Sequence, residues 1–335
     1  MTTYYVDVAV GNDGNAGTSE GAGNAWASIG KAMQTVASAD LVHIMGTGTY
    51  SAEDGSTGCI GKIITAGYIT ILGNGGEIGD GGKATLDAGV NGLDYCIGNS
   101  GGQTRYWIEG LNCINAAVDN MALGAYSSVH NCSFSSAGSI GMSMKASSKA
   151  SFCEFIGNGS YGAYVPSQGV FSFCKAANNG NIGIYSGTWG SAFLCASWGN
   201  SSGQLRVGSA YPGCAISCIV DGKGSAPGII ATIQSVIANT IIHDCTTGID
   251  GRSLFGQASK NNCFYSNDTD KTNWPDDDSD INADPMFVDA ANNDYRLLPY
   301  SPCRLAGIDI GEITEGISYC DIGAHQSNPD FPSAK

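Results

Sequence analysis

Residues 132–152, CSFSSAGSIGMSMKASSKASF, are followed by 153–173, CEFIGNGSYGAYVPSQGVFSF, and by 174–194, CKAANNGNIGIYSGTWGSAFL: three lines of equal length, each opening on cysteine. Other columns keep the same beat. Asn158, Asn179 and Asn200 each stand five positions after a cysteine. Gly141, Gly162 and Gly183 stand nine after, each inside a short alternating apolar stretch such as Ile182-Gly183-Ile184-Tyr185. A repeat of this length, made of period-2 segments and Asn/Gly turns, marks one coil of a parallel β-solenoid. A propeller blade takes about 40 residues. Helical repeats need a 3.6-residue periodicity that these lines lack.

Outward from that core the cysteines continue as Cys113, Cys132, Cys153, Cys174, Cys195, Cys218, Cys245 and Cys263, at intervals that scatter around the same length. Alternation sets Cys132 beside Phe134 and Cys153 beside Phe155, while Ser133, Glu154 and Lys175 take the opposite face. Charged side chains belong outside, so the eight cysteines are expected as a ladder of small buried hydrophobes. Successive coils lie about 4.8 Å apart. Parallel Cβ vectors at that spacing disfavour disulfide geometry, so thiols are expected. The Asn158, Asn179 and Asn200 column is expected to bridge turn backbones from coil to coil. His130 and His243 share the parity of Cys132 and Cys245 and are read as buried fillers.

Composition narrows the function. The chain has 335 residues, 49 of them Gly, and 13% are charged, against roughly 25% in an ordinary soluble domain. A hydrophobic content of 42% supports a core. The net charge of −15 excludes nucleic acid and anionic membrane surfaces as natural partners. No apolar run reaches the roughly 20 residues of a membrane span. MTTYYVDVAV lacks the basic start of a secretory signal, which gives a cytoplasmic origin as the expectation. Charge is uneven: residues 105–265 carry 8 basic and 6 acidic groups, and residues 266–335 carry 4 and 14.

Trp26, Ile29, Met33 and Val36 follow helical spacing and suit a helix that covers the first coil. The expected organisation is one continuous all-β domain. Residues 1–40 form an N-terminal cap with a short amphipathic helix, 41–265 a shaft of ~21-residue coils, and 266–335 the last coils and an acidic cap. The segments YYVDVAVGNDGNAGTSE…AWASIGKAM and DPMFVDAANNDYRLLPYSPCRLAG…DIGAHQ, with the repeat between them, resemble right-handed parallel β-helix proteins of the pectate-lyase-like superfold. The resemblance implies a right-handed coil. It says little of activity, because lyases, hydrolases, epimerases, adhesins and phage tail proteins share the fold.

Tyr164 and Tyr185 fall one repeat apart on outward positions, with Trp189 and Trp198 nearby, and together they make the expected contact surface for a sugar ring or a neighbouring protein. Phe152 and Phe173 take the parity opposite to the cysteines, either outward or at a strand bend. Asp276, Asp277, Asp278 and Asp280 are the expected ligands if calcium binds, and no other cofactor is required. Asn12, Asp13 and Asn15 read as turn formers. A hydrolase needs two carboxylates about 5–9.5 Å apart. On adjacent coils such a pair would fall about 21 residues apart on one column, and Glu109, Asp119, Glu154, Asp221, Asp244 and Asp250 show none. The basic groups Lys145, Lys149, Lys175 and Arg206 have no acidic cluster beside them in sequence.

No catalytic residue is therefore named. The expected function is a non-catalytic structural or recognition β-helix, a phage virion component such as a capsid decoration, fibre or tail-associated protein. Its partners would be neighbouring proteins or a host glycan, and a homotrimer is one open oligomeric state. The competing expectation is an extracellular polysaccharide lyase or glycoside hydrolase.

Overall fold

A computed structural model describes residues 1–51, 58–60 (backbone only), 68–73, 82–98, 105–252, 256–308 and 320–324. The chain divides into two compact units, Met1–Val165 and Pro166–Lys335. Each is a run of parallel β-coils, with one short strand per coil in each of three sheets.

In the first unit, the sheet that opens with Thr3–Val6 continues through Leu41–Ile44, Tyr68–Leu72, Arg105–Glu109, Ser128–His130 and Lys149–Ser151. The sequence repeat is the pairing register itself: Ser128 lies opposite Lys149, and Phe134 opposite Phe155. The Phe134 and Phe155 rings stack at 5.5 Å and 11° in the interior. The helix Ile29–Thr35 closes the start, with the Ser28 hydroxyl capping it by accepting from the Lys31 amide. Trp26, Ile29, Met33 and Val36 are all buried. Asp13 accepts from the amides of Ala27 and Ser28 at 2.9 Å, so it ties the cap together.

The second unit repeats the plan from Val170–Ser172 to Ala258–Lys260, Lys175–Ala177 to Ile281–Asn282, and Ile182–Thr188 to Lys271–Thr272. It adds an antiparallel hairpin, Phe287–Asp289 with Asp294–Leu297. This hairpin lies over the second sheet, where Tyr295, Cys303, Ile322 and Ala324 bury Ile219, Ile241 and Cys263.

From Arg105 to Lys260 the described coils turn at left-handed corners, and these explain where simple alternation fails. Between first and second sheets the corner residue is Asn131 or Phe152 in one unit, and Phe173, Leu194, Ser217, Asn239 or Asn261 in the other, all at φ 50–54°. One such residue resets the in–out alternation. His130 therefore faces outward, bonding the Ser151 hydroxyl at 2.8 Å, while Cys132 two positions on is buried. Phe152 stays 37% exposed at its corner. His130 is thus not a core filler, whereas the His243 side chain, 16% exposed, is packed against Tyr265 and Phe287.

The cysteine ladder needs correction at three positions. Cys132 and Cys153 share one column in the first unit, with Leu111 beneath them, and Cys174, Cys195 and Cys218 share it in the second. The column continues through Thr240, which accepts from the Cys218 amide at 3.3 Å, and Asn262, which accepts from the Thr240 amide at 3.0 Å. Cys113 instead pairs with Phe134. Cys245 stands in the turn column, its amide donating to Asn267 at 3.0 Å. Cys263 pairs with Ile241 on the outer side of the second sheet, beneath the hairpin. Coils longer or shorter than the common repeat move a cysteine to a different column without changing its burial.

All twelve cysteines with described side chains are free thiols, and all but Cys214 are buried. Burial pushes the Cys132, Cys195 and Cys245 thiols well above their ordinary range, so the native chain should react slowly. Denatured, it should release at least eight thiols to a colorimetric reagent. A largely oxidised chain in that assay would contradict the arrangement.

Candidate functional site

The asparagine column is structural. In the second unit Asn200 Oδ1 accepts from the Asn179 amide at 3.0 Å and from its carboxamide at 2.8 Å. In the first, Asn158 Oδ1 accepts from the Ala137 amide at 3.1 Å. Gly141 and Gly183 are required opposite this column, because a Cβ there would come within 2.7 Å of the Asn158 or Asn200 carboxamide nitrogen. The left-handed residue of the turn is the one before: Gly157, Asn178 or Gly199.

The four aromatic residues expected as one surface separate. Tyr164 is half-buried, opposite Ser143 in the first unit. Tyr185 is half-buried in the second, its ring covered by the Arg206 guanidinium at 4.6 Å. Trp198 is not available to a partner, since it packs 5.6 Å from Tyr295 beneath the hairpin. Of the four, Trp189 stands free of the fold, 54% exposed at a corner with φ 58°.

Trp189 has a partner that sequence reading missed. Tyr211, 53% exposed, lies parallel to it, with ring centroids 5.4 Å apart and planes 13° apart. The strands on either side show how Tyr211 gets there: Ser191 pairs with Cys214, two positions beyond where the common repeat would put its partner. The extra length forms the loop between Val207 and Cys214. Gly213 lets that loop lie flat, because a Cβ there would meet the Gly208 nitrogen at 2.4 Å. The signal was in the spacing, since the step from Cys195 to Cys218 is lengthened by the same amount. Beside the stacked rings runs a shallow groove of about 250 Å³, bordered by Trp189, Ser191, Pro212, Cys214, Gln234 and Val236.

Two charged clusters are committed to holding the chain. Asp221 is fully buried and accepts from Tyr295 Oη at 2.8 Å and from Lys223 Nζ at 2.9 Å. His243 Nδ1 lies 3.5 Å away. Burial alone would raise the Asp221 carboxyl, but His243, Lys223 and Tyr295 outweigh it and hold the group below its ordinary value. Burial, then the Asp221 charge, push the Tyr295 phenol up. In the acidic run, Asp277 pairs with Lys260 at 2.7 Å and Asp280 with Lys271 at 2.8 Å. Asp280 also accepts from Ser259 Oγ at 2.7 Å and the Asn262 amide at 2.9 Å, which closes the last coil. Asp276 and Asp278 lie at the surface of the run. Among the described residues no three His, Cys, Asp or Glu side chains converge so as to hold a metal ion.

Residues 230–318 match a protein family described as disaggregatase related. No curated protein sequence matches the chain. Among solved structures, pectate lyase Pel9A superposes with a TM-score of 0.61 at 17% identity, over 98% of this chain and 97% of that one. A rhamnogalacturonan lyase aligns with a TM-score of 0.45 at 13% identity, over 79% and 74%. The mannuronan C-5 epimerase AlgE4 A-module of Azotobacter vinelandii gives 0.49 at 14%, over 69% and 72%. At such identities the likeness is one of fold, and the chain folds as a right-handed parallel β-helix of the pectate-lyase-like superfold.

Proposed function

We propose that this chain is a polysaccharide-recognising β-helix that holds its ligand on exposed aromatic side chains. The observation that carries the reading is the stacked, half-exposed Trp189–Tyr211 pair, of which Trp189 borders a groove. Two large rings stacked on each other and half exposed keep an outer ring face in water, and such a face suits the C–H face of a sugar. The fold relative with the strongest likeness among those named above is a pectate lyase. With the reading goes the setting expected from the sequence, a phage virion component; its support is compositional, and the genomic neighbourhood of the coding sequence checks it.

Retention on a panel of immobilised neutral and acidic polysaccharides tests the proposal, with unsaturated products and new reducing ends followed in parallel. The expected result is retention without cleavage. Replacing both Trp189 and Tyr211 by Ala should weaken retention at least about tenfold, or roughly 1.4 kcal/mol. Cleavage of any polymer would overturn recognition in favour of a lyase or hydrolase. Equal retention of the double variant would place the ligand elsewhere.

A further inference from the structure

We propose that the groove beside Trp189 and Tyr211 takes one ring of an uncharged sugar, an inference that rests on the recognition reading above and narrows it. Three observations lead there. First, none of the described residues lining the groove is charged. A uronate carboxylate or a sulfate seated there would lose hydration and gain no cation in return. Second, the volume of about 250 Å³ falls below the roughly 300–1,000 Å³ of pockets that enclose a drug-sized ligand. The groove therefore suits a single ring of a longer polymer lying across the surface.

Third, the polar groups present are those that read hydroxyls. Gln234 occupies a left-handed corner at φ 55° and is exposed. Its carboxamide makes no hydrogen bond to another described residue. One amide supplies both a donor and an acceptor, which matches two adjacent sugar hydroxyls. Ser191 adds a hydroxyl on the sheet, and Val236 and Cys214 form an apolar floor beside it. The ring would lay its C–H face against Trp189, turn hydroxyls toward Gln234, and cover the thiol of Cys214.

Cys214 makes the site measurable. It is half-buried, whereas the other cysteines with described side chains are buried. Burial raises its thiol above the ordinary range, so alkylation is run at mildly alkaline pH. The experiment maps iodoacetamide modification of Cys214 by peptide mass spectrometry in the intact chain. The probes are cello-, xylo- and malto-hexaose, and an oligogalacturonate of equal length. At least one neutral series should slow modification about fivefold at a ligand concentration of ~4 Kd, and the oligogalacturonate should not. Gln234→Leu and Trp189→Ala should each abolish that protection, read as the ratio of liganded to unliganded rates in the same variant. Protection by oligogalacturonate equal to that by a neutral sugar would overturn the inference. So would retention of a polysaccharide that leaves Cys214 modification unaltered, although recognition itself would then stand. Retention of no polymer at all would overturn the recognition reading, and this inference with it.

Discussion

Asp221→Ala is expected to lower the stability of the chain by about 3 kcal/mol and to open the segment from Phe287 to Leu297 to proteases. The carboxylate is fully buried on the outer side of the second sheet, yet it joins three parts of the second unit. Lys223 from the following turn pairs with it at 2.9 Å and reaches on to the Ala290 carbonyl at 2.8 Å. Tyr295 of the hairpin donates to it at 2.8 Å, and its ring also lies under the Lys223 ammonium at 5.4 Å. Phe287 completes the contact, edge-on to both Tyr295 and His243. Removing the carboxylate leaves a buried phenol without its acceptor and a lysine without its counter-charge. The lower end of the usual range applies because the Lys223 side chain is 32% exposed and can turn toward water. Urea unfolding and limited proteolysis measure the two effects. Tyr295→Phe, which removes one hydrogen bond and keeps the ring, should cost only about 1 kcal/mol. An Asp221→Ala chain with wild-type stability and protease resistance would show that the hairpin is held by apolar contact alone.

The pH dependence follows from the same group. The folded carboxyl sits below its ordinary value, so its contribution is fully present above the unfolded carboxylate range near pH 4. It is lost as the pH falls through the depressed folded value. Stability of the wild type should therefore decline in acid more steeply than that of Asp221→Ala, the two curves converging at the lowest pH. Parallel curves would mean that other carboxylates govern acid unfolding.

The repeat spacing is the strand register, so the columns around Cys132, Cys153, Phe134 and Phe155 could be read directly. The cap helix was legible for a similar reason, since Ile29 and Met33 share a face to bury, although Trp26 lies before the helix in a bridge to Val6 and Val36 is its extended C-cap. What alternation cannot report is a left-handed corner, which consumes one residue and turns the next to the other face; His130 was misplaced for that cause, and Phe152, left open between an outward position and a bend, is such a corner. Nor can a constant period survive insertions. A lengthened coil carried Tyr211 to Trp189, and unequal coils moved Cys245 and Cys263 out of the column their spacing suggested. Trp198 was lost to long-range packing, because the Tyr295 ring that covers it belongs to the hairpin, several coils further along the chain. Composition carries no trace of that contact.

The asparagine column gives the second large effect. Asn200→Ala should destabilise the chain by about 3–5 kcal/mol, an unusual cost for one polar side chain, from roughly 1–3 kcal/mol for each buried group left unpaired. The carboxamide is fully buried and connects four residues. Its oxygen accepts both the Asn179 backbone amide and the Asn179 side chain. Its nitrogen donates to Gln204 Oε1 at 2.7 Å, Ser197 Oγ at 3.0 Å and the Ala176 carbonyl at 3.3 Å. Gln204 Nε2 returns a bond to the Asn200 carbonyl at 3.1 Å, so the network closes on itself away from water. Alanine would leave the Asn179 amide and the Ser197 hydroxyl buried with fewer partners. It would also leave a void against Gly183, whose bare Cα fits this carboxamide. Asn178 supplies the control: one coil earlier it is exposed and left-handed at φ 54°. Asn178→Gly should change stability by less than about 1 kcal/mol, because glycine adopts that backbone without strain. If both variants unfold at the same urea concentration, the column is decoration. A midpoint lowered only for Asn200→Ala would make the buried carboxamide, rather than the exposed asparagine before it in the turn, the group that fixes one coil on the next.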